Sequence, residues 1–291
     1  MASAELRRIQ RRIKSVRSTM KITRAMELIA TSRIARAQQR VAAAEPYTRK
    51  MDEVIRNVAA ASGGASHPLL EVRPVRTAGV LVVTSDRGLA GAYNGNVMRL
   101  AETRLIELTR AGTDVRVYVV GRKAQSYFRY RGYLIQQAFL GVTDTPGYGD
   151  ARAVANVVMN DFAEGTIDTL EVFTTRYVSA LTQTATSRLL LPIAPPPELG
   201  STVPVGYTYE PNPEAILGRL LPRYVEAAAF GILLEASASE HAARRRAMKA
   251  ATENAEELTR VLSRQANQAR QAEITTEISE IVGGAEALTR G

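Results

Sequence analysis

From Leu6 onward, apolar or small residues recur at alternating steps of three and four: Leu6, Ile9, Ile13, Val16, Met20 and Thr23, then Ala30, Ile34, Ala37, Val41 and Ala44. That spacing is a heptad seam, which a helix presents along one side and a strand does not. Glu27 is its one charged interruption, and the register resumes after Pro46 at Met51, Ile55 and Val58. Pro46 is expected to kink or break the helix, since an interior proline costs about 3 kcal/mol, and Ser62-Gly63-Gly64 is expected to end it. A second seam lies near the other end of the chain: Met248, Ala251, Ala255, Leu258, Leu262, Gln265, Ala269 and Ala272. Its many alanines let two helix axes approach closely. Asn212 reads as the N-cap of this second helix with Pro213 at its first position, and Pro222 marks a second start or a kink. At 1.5 Å per residue, residues 3–45 extend about 65 Å and residues 222–282 roughly 90 Å. Neither fits inside a globular domain. If both project from the same side of what lies between, they run antiparallel and each seam finds its partner within the chain. Heptads alone leave open the other arrangement, in which each helix dimerises with a second molecule.

Between the seams the pattern changes. Residues 80–84, 115–120, 170–175 and 187–191 read as strands, and residues 95–110, 122–131 and 151–163 as helices. Alternating strand and helix implies a mostly parallel sheet covered on its faces. The last two strands follow each other directly, which predicts an antiparallel edge. Pro195-Pro196-Pro197 and Pro204 form a stiff connector at the boundary. The expected architecture is therefore α/β. Residues 1–62 and 212–291 make a long antiparallel coiled coil, and residues 75–195 make a Rossmann-like domain with a mostly parallel sheet.

Charge is distributed unevenly along the chain. Residues 1–50 hold 13 Lys and Arg against three acids, a balance of +10, whereas the remaining 25 bases and 26 acids sum to −1. The basicity belongs to the first helix, either as a solvated face or as a surface that meets something acidic. Nucleic acid is one acidic partner to weigh, but the bases flank a continuous apolar seam, Trp is absent and aromatics are 5% of the chain, so stacking platforms are scarce. No apolar run approaches the roughly 20 residues of a spanning helix. The absence of cysteine removes disulfides, thiolate nucleophiles and zinc–sulfur sites together.

No phosphate-loop, zinc-protease or nucleophile-elbow pattern occurs, and the Gly147-Tyr148-Gly149 triplet lacks the third glycine of a dinucleotide fingerprint. His67 and His241 have no thiols to join and read as surface residues rather than metal ligands. The loop Ser85-Asp86-Arg87-Gly88-Leu89-Ala90-Gly91 follows the first strand and precedes a helix, where α/β folds commonly bind anions. Without a lysine for a phosphate, it reads better as a structural turn, with Arg87 as an outward charge available to a partner.

Three stretches carry a resemblance: residues 12–30 (RIKSVRSTMKITRAMELIA), residues 85–91 (SDRGLAG) and residues 269–285 (ARQAEITTEISEIVGGA). Together with residues 239–244 (SEHAAR) and 247–255 (AMKAATENA), they make the whole chain, in order, similar to the gamma subunits of F-type ATP synthases. The resemblance implies a non-catalytic rotor shaft with no cofactor and no metal, and no nucleic acid as partner. Its partners would be the alpha and beta subunits, the epsilon subunit and the c-ring. Rotation of the c-ring would turn the shaft and drive the beta subunits through their states. On matching positions, Lys21, Arg24 and Met26 would face an acidic lever of a beta subunit, with Arg87 as a further beta contact. Arg270, Gln271, Thr275 and Glu277 resemble a polar catch near the shaft's upper end. Tyr207, Tyr209 and Glu210 match a stretch beside the c-ring and epsilon subunit. Ala90 stands where the family usually has Cys, while Arg245-Arg246 and Gln265-Ala266 also depart from it, which leaves detailed shaft contacts open. Because the family pattern begins within the first dozen residues, the Arg-rich start reads as shaft rather than transit peptide, and the implied location is the cytoplasmic side of a bacterial membrane, peripheral to it.

Overall fold

The computed structural model describes residues 2–61, 67–193 and 212–289; Ser62-Gly63-Gly64 and the proline connector lie outside them. In chain order the elements are α1 (Ala2–Ala61), a 3-10 turn (Pro68–Leu70), β1 (Thr77–Val83), α2 (Tyr93–Arg110) and β2 (Asp114–Val120). They continue with α3 (Arg122–Tyr130), β3 (Ile135–Phe139), α4 (Tyr148–Ala163), β4 (Thr169–Tyr177), β5 (Gln183–Leu191) and α5 (Pro213–Thr289). Two compact units result, one of Met1–Ile29 with Arg245–Gly291 and the other of Ala30–Arg244.

The first unit is a pair of helices. Thr23 meets Thr252, while Ile13 and Ala266 line one groove, so numbers fall along α5 as they rise along α1 and the helices are antiparallel. On α1 the expected seam is the buried one: Leu6, Ile9, Ile13, Val16 and Met20 are half-buried and Thr23 is buried. On α5 half of the expected seam slides by one residue. Met248, Ala255 and Leu262 are buried and Ala269 half-buried as expected, but Thr252, Thr259 and Ala266 fill the alternate positions. Ala251 stays half-buried, Leu258 is 37% exposed, and Gln265 and Ala272 are exposed. Hydrogen bonding makes the two threonines acceptable inside. Thr252 Oγ1 lies 2.9 Å from the Met248 carbonyl and Thr259 Oγ1 2.8 Å from the Ala255 carbonyl, and Thr23 Oγ1 lies 3.1 Å from the Met20 carbonyl. The Thr23 and Thr252 hydroxyls are 2.7 Å apart, so one donates across the seam while the other donates back onto its own helix, and no buried donor is orphaned.

In the second unit the five strands lie in the order β3-β2-β1-β4-β5. The first four are parallel, and β5 runs antiparallel to β4 at one edge as the direct succession of the two strands predicts. The strands alternate their side chains between two cores. Val80, Val82, Val117, Val119 and Phe173 face α2 and α3, through Val97, Ala101, Leu105, Ala124 and Phe128. Leu81, Val83, Tyr118, Val120, Leu170 and Val172 face α4 and α5, through Val154, Val158, Phe162, Leu217, Leu221 and Val225. Met51, Ile55 and Val58, the last turns of the α1 seam, join this second core. The strand β3 was not expected. Its sequence, Ile-Gln-Gln-Ala-Phe, breaks the apolar pattern, and it pairs with β2 alone at the sheet's other edge.

Neither interior proline breaks or restarts its helix; a kink is the other outcome expected of each. Pro46 lies inside α1 and Pro222 inside α5. The carbonyls that each ring deprives of a partner belong to Ala42 and Gly218, both exposed residues, so the lost bonds fall outside the core. The N-terminal signal for α5 is correct: Asn212 Oδ1 accepts the Ala215 N–H at 2.8 Å.

The threonine pair yields a double-mutant cycle. Thr23→Val or Thr252→Val alone is expected to cost about 1 kcal/mol, since each removes the hydrogen bond across the seam while the other hydroxyl keeps its own helix carbonyl, and the two together less than the sum. Denaturant unfolding followed by circular dichroism measures all four species. Additive costs would show that the hydroxyls do not interact.

Candidate functional site

In an open parallel sheet, ligands enter the crevice beyond the carboxyl ends of the strands, where neighbouring connections leave in opposite directions. Here that crevice lies beyond β1 and is lined by its following loop. Thr84 is fully buried; its hydroxyl donates to the Val120 carbonyl at 3.1 Å and accepts the Ala124 N–H at 2.9 Å. Asp86 places its carboxylate at the first turn of α3, accepting from Arg122 N at 3.2 Å and from the Thr143 hydroxyl at 3.0 Å. A helix N-terminus that would hold an anion therefore holds a carboxylate of the same chain. Ser85 and Asn94 close the other side: Asn94 Oδ1 accepts Ser85 N at 2.9 Å and Asn94 Nδ2 reaches Ser85 Oγ at 2.8 Å. Gly121 completes the corner with φ of 92°; a Cβ there would lie 2.5 Å from the Thr84 carbonyl oxygen. Residues 85–91 form the turn between β1 and α2, and Arg87 stands exposed on it.

The mouth of the crevice is covered by α5. Tyr93 Oη donates to the Ala236 carbonyl at 3.1 Å, Ser239 Oγ to the Thr175 carbonyl at 3.3 Å, and Arg244 Nη2 to the Gly88 carbonyl at 3.2 Å. Arg244 also pairs with Glu240 at 2.7 Å, both buried. Burial pushes the Glu240 carboxyl up to about 7; Arg244 pulls it back, and Asp144 and Asp86 add to the rise. Its second oxygen has no hydrogen-bond partner. His241, read from sequence as a surface residue, is instead 2% exposed. It sits on the face of α5 that meets the loop before α4, a contact that no spacing in α5 announces. Burial lowers its pKa, so at neutral pH the ring is uncharged, with its proton on Nε2, 3.2 Å from the Asp144 carbonyl oxygen. A carbonyl offers only lone pairs, which leaves Nδ1 as the buried acceptor without a donor. His67 Nδ1 accepts the Leu69 N–H at 3.1 Å and caps the 3-10 turn. No group of three or more metal-ligating side chains occurs among the described residues.

The remaining expected contact residues on described chain lie in the helix-pair unit. Lys21 and Arg24 are exposed and Met26 is half-buried. Arg24 comes within 3.9 Å of Glu256, with side chains 70% and 50% exposed, a pairing too solvated to hold the guanidinium in place. Arg270, Gln271, Thr275 and Glu277 are all exposed, and the Thr275 hydroxyl donates back to the Gln271 carbonyl at 2.9 Å. Tyr207, Tyr209 and Glu210 lie outside the described residues. Sequence reasoning missed an apolar surface here. Ile274, Ile278, Ile281 and Val282 are 47–71% exposed and fall at helical spacing on one stripe of α5. Ile22, Leu28 and Ile29 are exposed beside Lys21 and Arg24. The available signal was apolar residues standing off the heptad register.

The crevice beyond β1 is thus filled by side chains of the same chain, and the helix pair turns charge and apolar surface outward. The family model described as ATP synthase matches residues 5–288. The ATP synthase gamma chain of Acidothermus cellulolyticus is 51% identical, over 98% of this chain and 97% of that one; the gamma chain of Parafrankia sp. is 49% identical over 99% of both. Among solved structures, a chain of the Euglena gracilis mitochondrial ATP synthase, OSCP/F1/c-ring, has the same fold, with a TM-score of 0.70 at 17% identity over 98% of this chain and 95% of that one. A chain of the Tetrahymena thermophila mitochondrial ATP synthase central stalk and c-ring gives 0.60 at 23% identity, over 79% and 99%. The chain belongs to the ATP synthase gamma chain family, the non-catalytic central stalk of a membrane-attached complex. No helix among the described residues is long and apolar enough to cross a membrane.

The Glu240 carboxyl predicts a pH signature. A carboxyl whose pKa is higher folded than unfolded contributes stability below the unfolded value, and that contribution is lost as pH rises through the folded value. Replacing Glu240 with Gln is therefore expected to shift stability in the variant's favour by on the order of 2 kcal/mol between pH 5 and pH 8, read as the difference between variant and unvaried chains in thermal unfolding. His241 slopes the other way below its ordinary value and cancels in that difference. A difference that stays constant with pH would mean that Glu240 titrates as an exposed carboxyl.

Proposed function

We propose that the helix pair turns inside a ring of alternating alpha and beta subunits, while the α/β domain stands on a c-ring with an epsilon subunit beside it, on the cytoplasmic side of a bacterial membrane. The working parts are then residues 1–62 and 212–291 as shaft and residues 75–195 as foot. Proton-driven rotation of the c-ring turns the shaft, and its asymmetric surface pushes each beta subunit between open and closed states. Lys21, Arg24 and Met26 meet an acidic lever of a beta subunit, with Arg87 as a further beta contact. Arg270, Gln271, Thr275 and Glu277 form a polar catch at the upper end, and Tyr207, Tyr209 and Glu210 contact the c-ring and epsilon subunit.

The observation that carries this reading is the outward basic face. The apolar seam of α1 is already taken up against α5, so Lys14, Arg17 and Lys21, together with the loosely paired Arg24, all exposed, are available to act on a partner. Attraction between such a face and acidic levers varies smoothly over a Debye length of about 8 Å, so it biases the angle of the shaft without locking it. The exposed Ile274, Ile278, Ile281 and Val282 stripe suits an apolar collar around a turning tip, because apolar contact is non-directional.

Joint replacement of Lys21 and Arg24 by Glu tests the lever contact. In inverted membrane vesicles, ATP-driven proton pumping is expected to fall several-fold relative to ATP hydrolysis, with normal complex assembly. An unchanged pumping-to-hydrolysis ratio would remove the contact, and failure of the unvaried chain to co-purify with alpha and beta subunits would remove the whole reading.

A further inference from the structure

We propose that Asp144 is a positioning residue that locks α1 and α5 against rotation relative to the α/β domain, and so carries torque through the foot of the stalk. The inference rests on the rotor reading above and adds to it the residue through which the load passes. Asp144 lies in the loop between β3 and α4, and it is the one residue there that bonds to both long helices at once. Its carboxylate takes Arg33 of α1, whose Nη1 contacts both oxygens, with Oδ2 at 2.6 Å. Its backbone carbonyl takes two donors from α5, Ser237 Oγ at 3.1 Å and His241 Nε2 at 3.2 Å. Ser237 and His241 are four residues apart and share one face of their helix.

The loop itself is anchored on either side of Asp144. The Thr143 hydroxyl bonds the Asp86 carboxylate at 3.0 Å and so ties the loop to β1; the Pro146 carbonyl accepts from Arg40, seven residues beyond Arg33 on the same face of α1. Two helices and the sheet thus converge on four consecutive residues, 143–146. The remaining contact between these helices and the domain combines the α5 hydrogen bonds to Tyr93, Thr175 and Gly88 with apolar packing through Met51, Ile55, Val58, Leu217, Leu221 and Val225. Apolar packing resists separation but is non-directional, so it opposes twisting weakly; hydrogen bonds weaken steeply when bent below about 120°. Turning α5 about its own axis bends the Ser237 and His241 bonds together, and turning α1 withdraws Arg33 and Arg40. The Asp144 and Arg33 side chains are 33% and 36% exposed, so the pair adds little to overall stability. Its value is directional, which separates a locking role from a merely stabilising one.

The test measures torsional stiffness in the assembled complex. With the catalytic ring fixed to a surface and halted by a tightly bound nucleotide, the angular fluctuations of a bead attached to the foot report the compliance of the stalk. Asp144→Ala and Arg33→Gln are each expected to widen the angular variance about twofold or more, as thermal variance is inversely proportional to stiffness, and the two together no further than either alone. Asp144→Asn, which keeps the side-chain size and one acceptor oxygen for Arg33 but removes the charge, is expected to widen it less than Asp144→Ala, and serves where the alanine variant fails to assemble. Assembled variants with the unvaried variance would overturn the proposal, even if their yield or thermal stability falls. If the unvaried complex shows no rotation under ATP, the rotor reading fails; if it rotates and the variants are equally stiff, only the lock fails.

Discussion

A helix of sixty residues with a single narrow apolar seam cannot remain folded in water by its own hydrogen bonds, and its seam must be covered along its length. Every other feature of the chain follows from how that demand is met. Within the helix-pair unit, α5 covers the seam with Met248, Thr252, Ala255 and Leu262. Within the larger unit, Met51, Ile55 and Val58 enter the core shared by α4, α5 and one face of the sheet. The charged faces of the pair turn outward, which leaves Lys14, Arg17 and Lys21 of α1 as exposed surface.

Covering the sheet with α5 also decides what the α/β domain can do. The crevice beyond β1 is the usual ligand site of such a fold, and its donors and acceptors are consumed by Asp86, Thr84, Asn94 and the α5 residues that cap it. The cost is a buried carboxylate and imidazole, Glu240 and His241, each with one atom lacking a partner; the neighbouring Arg244 offsets the first, and neutrality keeps the second tolerable.

Much of the fold was legible because periodicity reports burial. The α1 seam, the three central parallel strands, the antiparallel β5 edge and the Asn212 cap all follow from local pattern. The failures have a common cause. Thr252 and Thr259 lie in the buried register of α5 in place of Ala251 and Leu258, because hydrogen bonds back to the helix remove the polar penalty that a hydropathy pattern assigns to threonine. The β3 strand escapes notice because an edge strand is shaped by one neighbour only, and Gln136 and Gln137 are tolerated on it. Pro46 and Pro222 stay within helices, and the carbonyls they deprive of a partner belong to the exposed residues Ala42 and Gly218. The contact roles proposed for Lys21 and Arg270 come only from resemblance, since a charge on a solvated helix face looks the same whether or not a partner waits for it.

By itself the sequence determined that two long helices bracket a parallel sheet, that the positive charge belongs to the first helix, and that no recognisable catalytic constellation is present. Those properties depend on residue type and spacing, which are local. The tertiary structure alone decided which side of α5 is buried, that His241 and Glu240 lie inside, and that Asp144 joins both helices to the sheet. A lone aspartate in a loop has no period and no motif; its role arises when Arg33, Ser237 and His241, far apart in the chain, are folded onto the same few ångströms.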